Sequence, residues 1–338
     1  MEKIFLKAAR GEPVDYTPIW LNRQAGRYMP EYHAVKGDTG SLAFFKDPER
    51  AAQATLDAQR ILGVDAAIMF ADLLPVMEPM GLELDYVAGE GPKFANPVRS
   101  EADVAALRGL PALEATPYIA DTVKNILSGL PLNIALIGFA GAPFTLASYA
   151  IEGQGSRNYI FVKKMMYERP EIWHQLLTKL TDQVTSYLEL QIDSGVDAVQ
   201  IFDTWVGCLS IRDFNNYVRP HLQRLIDNLK GRVPIIYFGT GNGHLLDAVA
   251  ELAPDVLALD WRTPIKETWE RTGVQAVQGN MDPIVLCADR ASVLREAQAV
   301  LDEAAGRPGH IFNLGHGIVP QTPVDNVKAL VDYVHENS

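Results

Sequence analysis

Arg23-Gln-Ala-Gly-Arg27-Tyr-Met-Pro30 sets two guanidiniums four residues apart, divided by the small, flexible pair Ala25-Gly26. An Arg side chain keeps its charge at any physiological pH and grips carboxylate or phosphate through two parallel hydrogen bonds. The apolar run Thr17-Pro-Ile-Trp-Leu21 just before it reads as a buried strand. Both cations therefore emerge together at a strand end, where α/β proteins concentrate their chemistry. The pair points to a site for a substrate with several anionic groups. The plainer alternative is a surface loop with two solvated arginines.

Other strand tips carry single groups with two readings each. Asp72, after Met69-Phe-Ala, could cap a turn, or accept N–H donors and stabilise developing positive charge. Asp203-Thr204-Trp205 offers a carboxylate and a hydroxyl with the same ambiguity. Gly138-Phe-Ala-Gly-Ala-Pro-Phe-Thr145 allows close backbone approach and opens a helix at Pro143, with Tyr149 one turn on. Asn313-Leu-Gly-His316-Gly317 predicts an exposed histidine on flexible backbone, able to bind a carboxylate, move a proton or ligate metal. No second His or Cys stands at ligand spacing and there is no His-x-Cys pair, so a catalytic zinc site is not expected. Gly239-Thr-Gly-Asn-Gly-His244 lacks both the Walker lysine and the G-x-G-x-x-G spacing, which argues against a nucleotide.

The elements that must hold these tips follow a repeat. Gly63-Val-Asp-Ala-Ala-Ile-Met-Phe-Ala-Asp72 and Gly195-Val-Asp-Ala-Val-Gln-Ile-Phe-Asp203 are near copies; the segments at 253–260 and 273–280 are looser ones. Each reads as a helix stop, a buried parallel strand and a polar tip. Strands are predicted near 17–21, 66–70, 133–139, 197–202, 233–238, 256–259, 274–278 and 309–314. Helices are clearest over 48–62, 116–128, 170–194, 211–230, 243–252 and 289–305, with a last one near 323–336. Eight alternations over residues 1–338 predict a single-domain (β/α)₈ TIM barrel; an open doubly wound sheet is the runner-up. The extra length is expected as insertions after the second and third strands, at 73–115 with a hairpin near Leu82–Phe94, and at 144–169.

Bulk composition narrows the partners. Thirty basic against 42 acidic residues give a net charge of −12, which argues against nucleic acid or an anionic membrane. An acidic chain that binds a polyanion must gather its cations in one pocket, as Arg23 and Arg27 would. Cys208 and Cys287, two and far apart, fit a reducing cytosol. The first ten residues lack the apolar core of a secretory signal. The uncharged stretch Asn125–Ile151 is broken by Pro131, Gly138, Gly141 and Pro143, so it is not expected to span a membrane.

Four blocks resemble the uroporphyrinogen decarboxylase family: Pro18-Ile-Trp-Leu-Asn-Arg23-Gln-Ala-Gly-Arg27-Tyr-Met-Pro-Glu-Tyr32, Gly138 through Gly153, Phe202-Asp-Thr204-Trp and Asn313-Leu-Gly-His316-Gly. They run in order from Thr17 to Val319. The resemblance implies a cytosolic, homodimeric (β/α)₈ barrel of heme (porphyrin) biosynthesis, a carboxy-lyase that turns the four acetates of uroporphyrinogen III into methyl groups. It also implies site roles for Arg23, Gln24, Ala25, Gly26, Arg27, Asp72, Tyr149, Thr204 and His316. Ser often stands where this chain has Thr204, and the hydroxyl survives. Such a substrate is an octa-anion, which answers the charge puzzle. Carbon dioxide loss needs an electron sink, usually a cofactor; a pyrrole protonated at ring carbon can serve instead, so no cofactor is expected. On this reading Asp72 stabilises the cation, Arg23 and Arg27 hold carboxylates, and Tyr149, Thr204 and His316 contact substrate. The rival expectations are a zinc-dependent corrinoid or thiol methyltransferase of the same fold, and a tetrapyrrole carrier without turnover.

Overall fold

The computed structural model describes residues 3–87 and 91–338. Seven strands form one parallel sheet in the order β1 (Ala66–Ile68), β4 (Ala135–Gly141), β5 (Ala198–Asp203), β6 (Ile235–Gly239), β7 (Val256–Ala258), β8 (Ala276–Gln278) and β9 (His310–Ile311). The sheet curls, and helices lie between successive strands. Strands covered on both faces are apolar along their whole length: all seven residues of β4 are buried. β2 (Leu84–Val87) and β3 (Gly91–Phe94) pair antiparallel as the predicted hairpin, with Leu84 opposite Phe94; its residues 88–90 lie outside the described residues.

The helices begin and end where local chemistry says they should. Pro48, Pro143 and Pro170 each open a helix, at a position whose N–H would have no intrahelical partner. Gly63, Gly195 and Gly273 close helices in the left-handed region, at φ 71°, 113° and 64°. The helices Pro48–Leu62, Tyr118–Gly129, Pro170–Ser194, Arg290–Ala304 and Val324–Asn337 match the expected spans closely. The stretch predicted over 211–230 is divided, with one π-helical turn at Phe214–Val218 before Arg219–Leu229. No described helix is long and apolar enough to cross a membrane.

The repeat has a second purpose that its composition did not announce. In three copies the aspartate at the third position takes a backbone N–H at the start of a neighbouring strand. Asp65 Oδ2 accepts from Ile19 N at 2.8 Å, and Asp197 Oδ2 from Leu136 N at 2.7 Å. Asp255 Oδ2 accepts from Ile235 N at 2.8 Å. Each carboxylate thus supplies an acceptor at the strand's beginning, the end opposite the polar tips.

The expected strand at 17–21 is the least regular. It makes one parallel bridge, Ile19 to Phe312. Phe312 N donates to Pro18 O at 2.9 Å and Trp20 N to Phe312 O at 3.3 Å, while Asp65 N donates to Ile19 O at 2.9 Å. Pro18 has no N–H, and Ile19 gives its own to the Asp65 carboxylate, so a longer ladder cannot form. The segment nonetheless lies bonded between the β9 side and the β1 side of the sheet.

Candidate active site

The loop after that segment is held almost entirely by its own main chain and by amides. Arg23 sits at φ 62°, a left-handed conformation uncommon for a side-chain-bearing residue. Gln24 is buried: its Oε1 accepts from Leu21 N at 3.1 Å and its Nε2 donates to Ala66 O at 3.1 Å. Both polar ends of Gln24 are therefore committed to backbone. Tyr28 OH donates to Gln24 O at 2.7 Å, and Met29 N to Gly26 O at 3.0 Å. The arginines differ from these buried neighbours, since both are exposed. The stem of Arg23 lies across Gly317: a β-carbon there would come within 2.4 Å of Arg23 Cδ. Ala25 and Gly26 are half-buried between the two cations.

Arg23 is the hub. Its charge is felt at Asp72, Tyr149 and His316, which come from three other parts of the chain. The charge of Arg27 is felt instead at Tyr32. A further cation, Arg262, stacks over Trp261 at 3.8 Å from the ring centre and bonds Asp260 Oδ2 at 2.9 Å. Its charge also reaches His316.

Asp72 fulfils the modest reading and leaves room for the other. Leu74 N donates to its Oδ1 at 3.1 Å, a short turn two residues on. Packed round by protein, the carboxyl titrates above its ordinary range because burial disfavours its charge. The Tyr86 hydroxyl, the Leu74 N–H and the Arg23 charge pull it back down. That hydroxyl, carried by the hairpin strand β2, is buried and completes no well-aligned hydrogen bond.

The opposite side is aromatic. Helix Pro143–Glu152 presents Tyr149, whose ring stacks on Trp205 with centres 4.0 Å apart; Tyr159 meets the same indole edge-on at 5.4 Å. Burial pushes the Tyr149 phenol up to about 12, so it stays a neutral donor. Asp203 lies beneath, fully buried, accepting from Thr145 Oγ1 at 2.8 Å and Tyr237 OH at 2.9 Å. Trp205 N donates to Thr145 Oγ1 at 3.3 Å, which ties the indole's backbone to that buried carboxyl. Thr204, half-buried between them in sequence, accepts at its carbonyl from Thr240 Oγ1.

His316 departs from the expected flexible exposure. It is half-buried, edge-on to Phe238 at 6.4 Å and Trp261 at 6.2 Å. Its glycine neighbours serve close packing. A β-carbon on Gly315 would lie 2.1 Å from Trp261 N, and Gly317 faces Arg23. Burial first, then the charges of Arg23 and Arg262, bring the imidazole down to about 4, so it is neutral at physiological pH. Among the described residues no three His, Cys, Asp or Glu side chains converge as metal ligands would.

A family model described as uroporphyrinogen decarboxylase matches residues 2–337. The chain belongs to the uroporphyrinogen decarboxylase family. It is 50% identical over 343 residues to the uroporphyrinogen decarboxylase of Chloroflexus aurantiacus, covering 99% of this chain and 96% of that one. It is likewise 50% identical to that of Roseiflexus sp., over 99% and 98% of the two chains. Among solved structures, a methyltransferase from Methanosarcina mazei is similar with TM-score 0.85, at 21% identity and 99% coverage of both chains. A B12-independent methionine synthase from Shewanella sp. follows at 0.57 and 10%, covering 86% and 88%. These two likenesses speak for the fold alone.

Within this family member, the structure adds residues beyond the sequence candidates. Trp205 was visible as the neighbour of Thr204, but its stack on Tyr149 joins residues far apart in the chain. Tyr86 carries no motif of its own, and Arg262 stands just past the predicted strand at 256–259; each is notable for what folding sets beside it. Gly317, expected as flexible backbone beside His316, is a seat for Arg23.

Proposed function

We propose that this chain removes carbon dioxide from the four acetate side chains of uroporphyrinogen III, giving coproporphyrinogen III. The full-length family match at about half identity carries this reading; the convergence of Arg23, Asp72, Tyr149 and His316 supports it. The methyltransferase alternative has only a fold likeness at 21% identity behind it. A mere carrier gains nothing from a carboxylate that repels its polyanionic ligand.

The mechanism follows from these groups. A proton adds to a pyrrole ring carbon, and the ring becomes an iminium-like cation. The bond from the acetate methylene to its carboxylate breaks, carbon dioxide leaves, and the electron pair neutralises the ring. A second proton then converts the resulting exocyclic methylene to methyl, while the ring proton is released. Asp72 accepts the pyrrole N–H donors and faces the cation; those donors favour its ionised form against the effect of burial. Arg23 and Arg27 hold carboxylates, with the Ala25-Gly26 backbone between them and Gln24 pinning the loop. Tyr149, Thr204 and neutral His316 contact substrate. The pyrrole is its own electron sink, and no cofactor is required.

The same reading takes the segment at 17–21 as the eighth stave that closes a single (β/α)₈ barrel domain. The hairpin region and the 144–169 stretch are insertions at its mouth. It also takes the protein as a cytoplasmic homodimer. Anaerobic incubation of metal-stripped protein with uroporphyrinogen III tests the activity. Hepta- through tetracarboxylate products are expected in order. Unchanged octacarboxylate, beside a working control enzyme, overturns it.

A further inference from the structure

Beneath the arginine loop a line of buried side-chain amides crosses the interior of the curled sheet. Trp20 Nε1 donates to Gln278 Oε1 at 2.9 Å, and Gln278 Nε2 donates to Gln200 Oε1 at 3.0 Å. Gln200 Nε2 donates to Asn22 Oδ1 at 3.2 Å, and Asn22 Nδ2 donates to Leu314 O at 3.2 Å. Trp20, Gln278, Gln200 and Asn22 are each no more than 3% exposed. The line leaves the N-terminal segment at Trp20, passes through Gln278 of β8 and Gln200 of β5, and returns to the same segment at Asn22.

Its polarity is forced. An indole N–H can only donate, and a backbone carbonyl can only accept. With a donor at one end and an acceptor at the other, each amide between them has one orientation that satisfies the chain. Reversing any one would face donor with donor or acceptor with acceptor. Bonds aligned head to tail also polarise and strengthen one another in a low-dielectric interior.

The line ends on Asn22, the residue before Arg23. Asn22 is held at every polar atom: its N donates to Asn313 Oδ1 at 2.9 Å, and its carbonyl accepts from Ile318 N at 3.0 Å. The same two segments, Asn313–Leu314 and Ile318, flank His316 and the Gly317 seat of Arg23. A core needing only volume would be filled more cheaply by apolar side chains, since buried amides are tolerated only when bonded.

We propose that Gln200, Gln278 and Trp20 are positioning residues for Arg23: the amide line fixes Asn22, and through it the left-handed turn that aims Arg23 at the substrate carboxylates. This rests on the reading of Arg23 as a carboxylate holder, and the experiment separates the two. Steady-state kinetics with uroporphyrinogen and thermal melting are measured for Gln200→Met, Trp20→Phe, Arg23→Gln and the double variants. Gln200→Met cuts the line at its middle and is expected to raise KM about five- to tenfold while kcat changes little. Trp20→Phe removes only the first donor and is expected to raise KM about two- to threefold. In the Arg23→Gln background neither should raise KM further, because residues that act through one group are not additive. If Arg23→Gln itself leaves KM unaltered, the carboxylate-holding reading fails and the proposal falls with it. If Arg23→Gln raises KM but a folded Gln200→Met does not, or if the two increments multiply, the positioning proposal alone is overturned. Should Gln200→Met fail to fold, Trp20→Phe decides by the same criteria.

Discussion

The two sides of the mouth are built on different principles. On the side of Arg23 the loop is bonded beneath its surface: Gln24 spends both polar ends on backbone groups, and Asn22 is bonded at every polar atom. On the side of Asp72 and Tyr149 aromatic stacking overlies one bonded buried carboxyl, Asp203, and the Tyr86 hydroxyl is left without a well-aligned partner. The first arrangement suits a rigid cationic grip on a polyanion. The second suits a place where charge changes during reaction, because a carboxyl whose charge is disfavoured by burial responds strongly to a positive charge arriving nearby. Under the proposed function, binding falls to one side and turnover to the other.

Asp72→Asn is the severest test of that division. It keeps shape and removes charge, and should lower kcat by about 10²–10³ with a much smaller change in KM, as for loss of one placed charge. Product separation by carboxylate number measures it; equal losses in kcat and binding would refute the assignment. Next comes Arg23→Gln, where loss of a charge-assisted bond contributing about 1.5–3 kcal/mol should raise KM roughly ten- to a hundredfold. Gly317→Ala offers a subtler version. It leaves the guanidinium in place but drives a methyl into the Arg23 stem, so KM should rise by roughly three- to tenfold, less than on losing the charge. A larger effect on kcat than on KM from either would erase the distinction between the two sides.

Trp205→Leu probes the aromatic side. Loss of its stack on Tyr149, about 0.5–1.5 kcal/mol, should slow kcat roughly two- to tenfold and spare KM. The smallest effect concerns pH. His316, held near 4, stays neutral through the physiological range, so His316→Gln should leave the shape of the kcat/KM profile unchanged between about pH 6 and 9. Asp72 lies above the ordinary carboxylate range, so activity should fall as pH drops through its raised value and the carboxylate gains a proton. A profile whose alkaline or acid limb moves on losing His316 would instead make that imidazole a proton donor.

Much of this is legible in the sequence. The helix stops at Gly63 and Gly195, the openings at Pro48, Pro143 and Pro170, and the doubly buried strands are local events, set by backbone freedom and by runs of apolar residues. The Arg23–Arg27 spacing and the carboxylate at a strand tip are equally local. The partition of roles among them was not readable. The charge of Arg27, identical in type and four residues away, is felt at Tyr32, and Gln24 turns inward to the main chain.

Sequence by itself determined the alternation of helix and strand, the family, and the residue types available at each tip, because propensity and hydrophobic period act over a few residues. Tertiary structure alone decided which tips face one another. Arg23 meets Gly317 across almost the whole chain, Tyr149 finds Trp205, and Trp20 is linked to Asn22 through Gln278 and Gln200. Those meetings depend on how a sheet curls and which register its parallel neighbours adopt. The energy of a buried hydrogen bond or a close glycine contact exists only once both partners have been brought together.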